Sequence, residues 1–275
     1  MPVAASSLLG IWGAGPGNVF ATGLDGTLLH LTGGAIWTRY PVTTSAHLTA
    51  VWGTPSDVVV VVGGAGTILV SRDGGSSFRT HPVGPHIDLS AVWGSGRGTV
   101  VAVGQSGWIG VSSDGGESFQ RRSVGTARDL LAVWGAGQTI WVVGVRGTVL
   151  RSTDGGTIFA PVDVGTTQDL YGIWGTSANE LVLVGAGGLV LTTRDGAAFT
   201  ARRSGVAKEL HAVWGDGRGL VLAVGDRGTI LRSTDGGTTW SADESGVDDD
   251  LFGVWGSGEG DAIAVGWSGT VLAYR

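Results

Sequence analysis

The sequence predicts an all-β protein closed into a ring of seven blades, each a four-stranded antiparallel sheet: a seven-bladed β-propeller. Three observations lead there. A Trp-Gly pair recurs at Trp12, Trp52, Trp93, Trp134, Trp174, Trp214 and Trp255, at spacings of 40 or 41 residues. Between these pairs stand short segments rich in Val, Ile, Leu and Thr, separated by glycines that make up 52 of the 275 residues. No apolar stretch keeps helical spacing beyond a single turn. Four β segments repeated at a period of about 40 residues are the signature of propeller blades.

Each unit opens with strand a, of the form L-x-[AG]-[VI]-W-G, as at residues 130–135 and 210–215. The units therefore begin near Leu8, Leu48, Leu89, Leu130, Leu170, Leu210 and Leu251. A Gly-rich turn leads to strand b, apolar at nearly every position, such as VVVVVG at 58–63 or LVLAVG at 220–225. A strand with water on one face would alternate, so an unbroken run implies that blades cover one another face to face. Two residues and a Gly precede strand c, as in GTILRST at 228–234, and a D-G-G turn with an aromatic residue leads to strand d. The seventh unit stops after strand c, while seven residues, MPVAASS, precede the first strand a. Residues 1–7 are expected to add the outer strand of blade seven, which would pair the chain ends and leave no open edge. No linker or shift of composition divides the chain, so residues 1–275 are read as a single domain.

Composition narrows the function. The chain has no Cys, which removes disulfides, zinc-thiolate sites and thiol nucleophiles. With 17 basic and 23 acidic residues, a net charge of -6 and Lys208 as its one lysine, it does not suit a nucleic-acid groove. The longest apolar run falls far short of the roughly 18 residues of a spanning helix. The strands are shorter than the roughly 9–11 residues of an outer-membrane barrel strand. Residues 1–17 are apolar, but no basic residue precedes them and they fit the repeat, so they are not read as a signal peptide. The compartment stays open between the cytoplasm and a processed secreted or surface protein. No cofactor and no metal are expected, and the chain is expected to be a monomer.

The turns between strands c and d read SRDGGSSF (71–78), SSDGGESF (112–119), STDGGTIF (152–159) and STDGGTTW (233–240). They resemble the Asp-box, S-x-D-x-G-x-x-[FW], of the BNR-type propellers. The whole unit, AVWG…VVGxxGTILxSxDGG, is similar to repeats of the photosystem II assembly factor family and of uncharacterised bacterial, myxobacterial-type, VWG/AVG-repeat propellers. The likeness covers nearly the whole chain. Units one and five depart from it: LTGGAIW (31–37) lacks the Ser and Asp, and TRDGAAF (193–199) is one residue short. Those two turns are expected to be looser or differently bonded. Asp73, Asp114, Asp154 and Asp235 are expected to accept backbone N–H bonds inside their own turns, a structural role. In the families resembled, the box lies on the face away from the ligand.

The seven Trp-Gly tryptophans suit packing between blades better than an array of sugar-stacking platforms, because an identical residue recurs at an identical place. Trp37 and Trp240 fill the aromatic slot of the turn, which leaves Trp108, Trp141 and Trp267 out of pattern; Trp267 is expected to be exposed. Chain direction puts the d–a and b–c loops at one end of the ring, the end that carries ligands in the propellers resembled. There the repeat varies, and variation on a rigid frame is where specificity resides. The candidate ligand-binding residues are Trp267, Arg227, Asp226, Arg146, Gln105, Tyr171 and His211. On the same face the residue before strand a is acidic in five units, at Asp88, Asp129, Asp169, Glu209 and Asp250, with Ser7 and His47 in the other two. Either these carboxylates form a collar at the channel mouth that attracts a cation or basic segment, or each accepts hydrogen bonds from its own turn or pairs with a nearby Arg.

Sialidases share the Asp-box, and by that resemblance a Tyr nucleophile with Glu and an Arg triad would be required; Tyr171, Glu209, Arg146 and Arg227 are the nearest match. Sialidases have six blades, and no carboxylate pair here can be assigned acid and base roles by spacing. The five histidines show no metal-ligand spacing, and no GxxxxGK[ST] phosphate loop occurs. The expectation is a non-catalytic recognition platform for a protein or peptide partner, with a lectin-like binder carrying glycan sites between blades as the alternative.

Overall fold

In every unit the leucine that opens strand a is fully buried, and the b strands of blades two to six are buried along their whole length save for Thr139 at the start of the fourth. The computed structural model describes residues 6–33, 36–84, 86–96, 98–258 and 260–274. Its a strands are Leu8–Gly15, Leu48–Gly53, Leu89–Gly94, Leu130–Ala136, Leu170–Gly175, Leu210–Gly215 and Leu251–Gly256. Each pairs antiparallel with its b strand, b with c, and c with d, so sheet order follows chain order. Successive a strands pack on each other around the axis, and the first also packs on the seventh. The result is a seven-bladed propeller of antiparallel sheets.

Six blades have four strands, and blade seven has three among the described residues. The expected fourth strand of blade seven falls on residues 1–7, of which 1–5 lie outside the described residues. Ser7 is described, and it joins blade seven to blade one: its Oγ accepts the Ser268 N–H at 3.2 Å, and its carbonyl accepts the Leu24 N–H at 3.0 Å.

The core is split into clusters, one at each seam between neighbouring blades. Strand b of one blade meets strands a and b of the next, as where Val58, Val60 and Val62 pack with Leu89, Val100 and Ala102. The last seam is built alike, with Leu8, Ala21 and Leu29 against Val265.

The Trp-Gly pair explains how the seams mate. Each tryptophan lies over the glycine of the same pair in the following blade. A Cβ on Gly53 would stand 2.7 Å from the Trp12 ring, and one on Gly135 2.8 Å from the Trp93 ring. Gly94, Gly175, Gly215 and Gly256 face Trp52, Trp134, Trp174 and Trp214 in the same way. Gly13 faces Trp255, at 2.6 Å from such a Cβ, and completes the circuit. The glycine is required here by close approach rather than by backbone angle.

Two irregular tryptophans are packing solutions. Trp108 is 4% exposed, and its indole covers Gly110, which stands where the other c strands carry leucine. Trp141, fully buried, donates its indole N–H to the Ala178 carbonyl at 3.0 Å and meets Phe199 edge to face. It lies against Gly196 in the c–d turn of blade five, the turn that is one residue short, so the bulkier ring sits opposite the shorter loop.

The c–d turns share one bonding scheme. Ser71 Oγ donates to Asp73 Oδ1 at 2.7 Å and accepts the Gly75 N–H at 2.8 Å, while Asp73 Oδ1 accepts the Ser77 N–H at 2.8 Å. Blades three, four and six repeat it around Asp114, Asp154 and Asp235. The short fifth turn is differently bonded rather than open: Asp195 accepts from Ala197 and Ala198, and Thr193 replaces the serine. Donors crowding the ionised form lower these carboxyls. Asp73 falls to about 2 through the Ser77 hydroxyl first, and Asp235 to about 2 through the Thr239 backbone N–H first. At Asp114 partial desolvation opposes the bonds from Ser118 and Ser112, yet the group still falls to about 2. In unit one residues 34 and 35 of the turn lie outside the described residues.

Candidate functional site at the channel mouth

The face formed by the b–c and d–a loops is built on two devices that recur in every blade. The first is a β-bulge. The leucine of strand a pairs with the last glycine of strand b, but the third residue of strand a pairs with the residue just before that glycine, so the second residue has no partner. The bulged residues are Leu9, Thr49, Ser90, Leu131, Tyr171, His211 and Phe252. A bulge bends its strand and re-aims a side chain, which is why bulges gather beside functional sites.

The second device is a latch across each seam. Just before a left-handed glycine, the b–c loop places a further residue in the left-handed region, at Asp25, Ala65, Ser106, Arg146, Gly187, Arg227 and Ser268, with φ between 50° and 62°. Its N–H then points toward the next blade, where the side chain preceding strand a accepts it. Asp88 takes the Ala65 N–H at 2.8 Å, Asp129 that of Ser106 at 2.8 Å, Asp169 that of Arg146 at 2.7 Å and Asp250 that of Arg227 at 2.8 Å. Glu209 takes the Gly187 N–H at 3.3 Å, while His47 Nδ1 and Ser7 Oγ serve Asp25 and Ser268. One oxygen of each collar carboxylate is therefore engaged between blades, an arrangement that the repeat count did not reveal. The backbone carbonyl of the same residue bonds within its own blade, as where Asp169 accepts the Ala186 N–H, so the residue before strand a ties together the b–c loops of two neighbouring blades.

Only blades five, six and seven carry rings at the bulge. Tyr171 meets His211 at 5.7 Å between centroids, His211 meets Phe252 at 5.2 Å, and Phe252 meets Trp267 edge to face at 6.3 Å. Trp267 is 51% exposed. His211 Nε2 lies 2.7 Å from Asp226 Oδ1. Burial, helped by the Glu209 carboxylate, pushes the Tyr171 phenol up to about 12, and Asp169 and Asp226 act on it in the same direction. The structure thus brings Tyr171, His211, Asp226 and Trp267 into one cluster. Arg146 and Arg227 flank it through the latches to Asp169 and Asp250. Gln105 belongs to the loop of blade three, bonded to the Asp88 carbonyl at 2.9 Å and two blades round from Tyr171. Phe252 was missed by sequence reasoning. Reading the second position of strand a down the seven units would have shown it in the column of Tyr171 and His211.

Two clefts open on the same end of the ring. One, of about 560 Å³, is lined by Ser106, Arg121, Arg122, Val124 and Thr126. The other, of about 430 Å³, is lined by Lys208, Arg227, Asp243, Glu244 and Asp248. Among the described residues no three His, Asp or Glu side chains converge closely enough to hold a metal ion. No described helix is long and apolar enough to cross a membrane.

The fold and this face define a seven-bladed propeller whose variable loops crown the central channel. Comparison with solved structures gives that class particular members. YCF48, the photosystem II assembly factor, in a structure bound to a D1 peptide, is similar at 18% identity over 98% of this chain and 93% of that chain, with a TM-score of 0.81. Streptogramin B lyase superposes with a TM-score of 0.87 at 14% identity, covering 99% of this chain and 94% of that one. A GH74 xyloglucanase from Xanthomonas campestris is similar with a TM-score of 0.78 and 16% identity, covering 99% of this chain but 53% of that one. No family model matches the sequence, and no curated protein matches it.

The expectation of a non-catalytic protein is corrected by this comparison. A lyase and a glycoside hydrolase share the ring. The sheets supply a scaffold, while chemistry is set by side chains on the loops, so the architecture that suggested a mere platform does not exclude an enzyme.

Proposed function

We propose that this chain binds a protein or peptide partner through the face made by its b–c and d–a loops. One observation carries the reading: Tyr171, His211, Phe252 and Trp267, rings that depart from the repeat outside the core, gather with Asp226 at one sector of one face, on bulges and loops held in register by the seam latches. A site assembled on such a frame loses little entropy on binding. The likeness to YCF48 bound to a D1 peptide supports the reading by analogy of fold. The c–d turns fit the Asp-box pattern and would then belong to the opposite, structural face.

A second reading, carbohydrate binding between blades, is favoured by a groove on the opposite face. It is about 580 Å³ in volume and lined by Trp93, Ser95, Thr99 and Gln138. An indole edge among hydroxyl and amide groups suits a sugar ring. A glycan array and affinity capture, run on one sample, separate the two. Binding that survives free sugar and is lost in Trp267→Ala or Arg227→Ala, with the circular dichroism unchanged, supports the partner reading. Binding blocked by sugar and abolished in Gln138→Ala supports the second.

A further inference from the structure

We infer that the arc Tyr171–His211–Phe252–Trp267 receives a basic side chain, arginine or lysine, of a protein partner; this rests on the partner-binding reading of the same face. The rings belong to three adjacent blades and form an unbroken run with centroid spacings from 5.2 to 6.3 Å. Ring faces attract cations, and the long stem of an arginine or lysine covers apolar surface while its head seeks carboxylates.

The charge around the arc is of the right sign. Asp226 is bonded to His211, Glu209 stands beside Tyr171, and Asp169 and Asp250 bracket the sector. Arg146 and Arg227 occupy the loops on either side, and both extend from exposed positions. Between them the crown has a gap. The loop of blade five is Ala186–Gly188, with sequence AGG, and its left-handed residue is the only glycine at that position. A Cβ on Gly187 would have a single heavy-atom neighbour within 4 Å, Gln168 Nε2 at 3.3 Å. The missing side chain leaves the approach to Tyr171 and His211 open.

The test uses the full chain and blocked Gly-Ser peptides with one central residue: arginine, citrulline or norleucine. Citrulline keeps the shape of arginine and removes its charge. Binding is followed by the indole N–H resonance of Trp267, assigned by its loss in Trp267→Ala. The arginine peptide is expected to shift that resonance saturably. The citrulline and norleucine peptides should bind at least about fivefold more weakly, the ratio that a modest cation–ring contact gives. Phe252→Leu and Asp226→Asn should each weaken the arginine peptide by about threefold or more, with the melting temperature checked in parallel. Equal affinity for arginine and citrulline, no saturable shift, or shifts confined to other indoles would overturn the inference. A captured partner that depends on Gln105 and Arg146 but ignores the arc variants would remove the basic side chain and leave the partner face standing. A partner indifferent to both groups of variants would remove the partner face itself.

Discussion

At the level of single residues, this sequence spends its glycines and aspartates on geometry. Gly94 is the floor on which Trp52 rests, so Gly94→Ala should cost about 1–3 kcal/mol through overpacking of the seam, read as a lower midpoint in urea. The backbone angle itself matters at Ala65, held at φ 51° with a side chain that disfavours it. Ala65→Gly should be neutral to stabilising by up to about 1 kcal/mol in the same measurement. The turn aspartates predict a pH dependence. Asp73, Asp114 and Asp235 lie at about 2 in the folded chain against an ordinary 3.8. A depressed carboxyl stabilises the fold fully above its unfolded value and loses that contribution as the pH falls through the folded value. The melting temperature should therefore drop between pH 4 and pH 2, and less steeply in Asp235→Asn, as thermal scans across that range would show.

At the level of elements, the seam latch joins one blade's loop to the side chain that opens the next. Asp129→Ala removes the acceptor of the Ser106 N–H and should destabilise by about 0.5–1.5 kcal/mol, with hydrogen exchange of that amide accelerated more than the global change accounts for. Strand identity, strand order and the sense of the loops were legible from periodicity, because burial on both faces writes itself into the b strands as unbroken apolar runs. The partner of each collar carboxylate was not legible. The donor lies 22 or 23 positions earlier, in the preceding blade, and becomes an obvious neighbour only once blades stand side by side. Trp108 was equally opaque, since its burial depends on the leucine missing at Gly110, a compensation within a strand that a search for regularity treats as noise. Phe252 was hidden for the opposite reason: an aromatic in a strand is ordinary until the bulge turns it toward the mouth.

At the level of the whole molecule, six seams join blades that are consecutive in the chain, and the seventh joins blades that are not. Contacts between strands at residues 8–23 and 251–266 close the circle over the greatest sequence separation of any seam, which gives closure the largest loop-entropy cost. Trp255→Ala should therefore cost about 3 kcal/mol and strip exchange protection from blades one and seven before the rest, whereas Trp93→Ala should perturb blades three and four. Native-state exchange read by mass spectrometry distinguishes the two patterns. The ring count was legible in the spacing of seven tryptophans. That a lyase and a xyloglucanase share such a ring was not, because nothing in a repeat speaks for the loops it displays.

The tryptophan-on-glycine contact has a direction, always from one unit to its successor, and both halves are the same at every border. Units are in that sense interchangeable parts, and a chimera in which residues 210–250 are replaced by a second copy of 89–129 should still mate on both sides. Some borders carry more than this shared contact: between blades four and five Trp141 demands the shortened loop of its neighbour, and between blades six and seven the Tyr274 hydroxyl donates to Asp243. Duplication and exchange of whole units could thus enlarge or reshuffle such a chain, except where the two sides of a junction have become specific to each other.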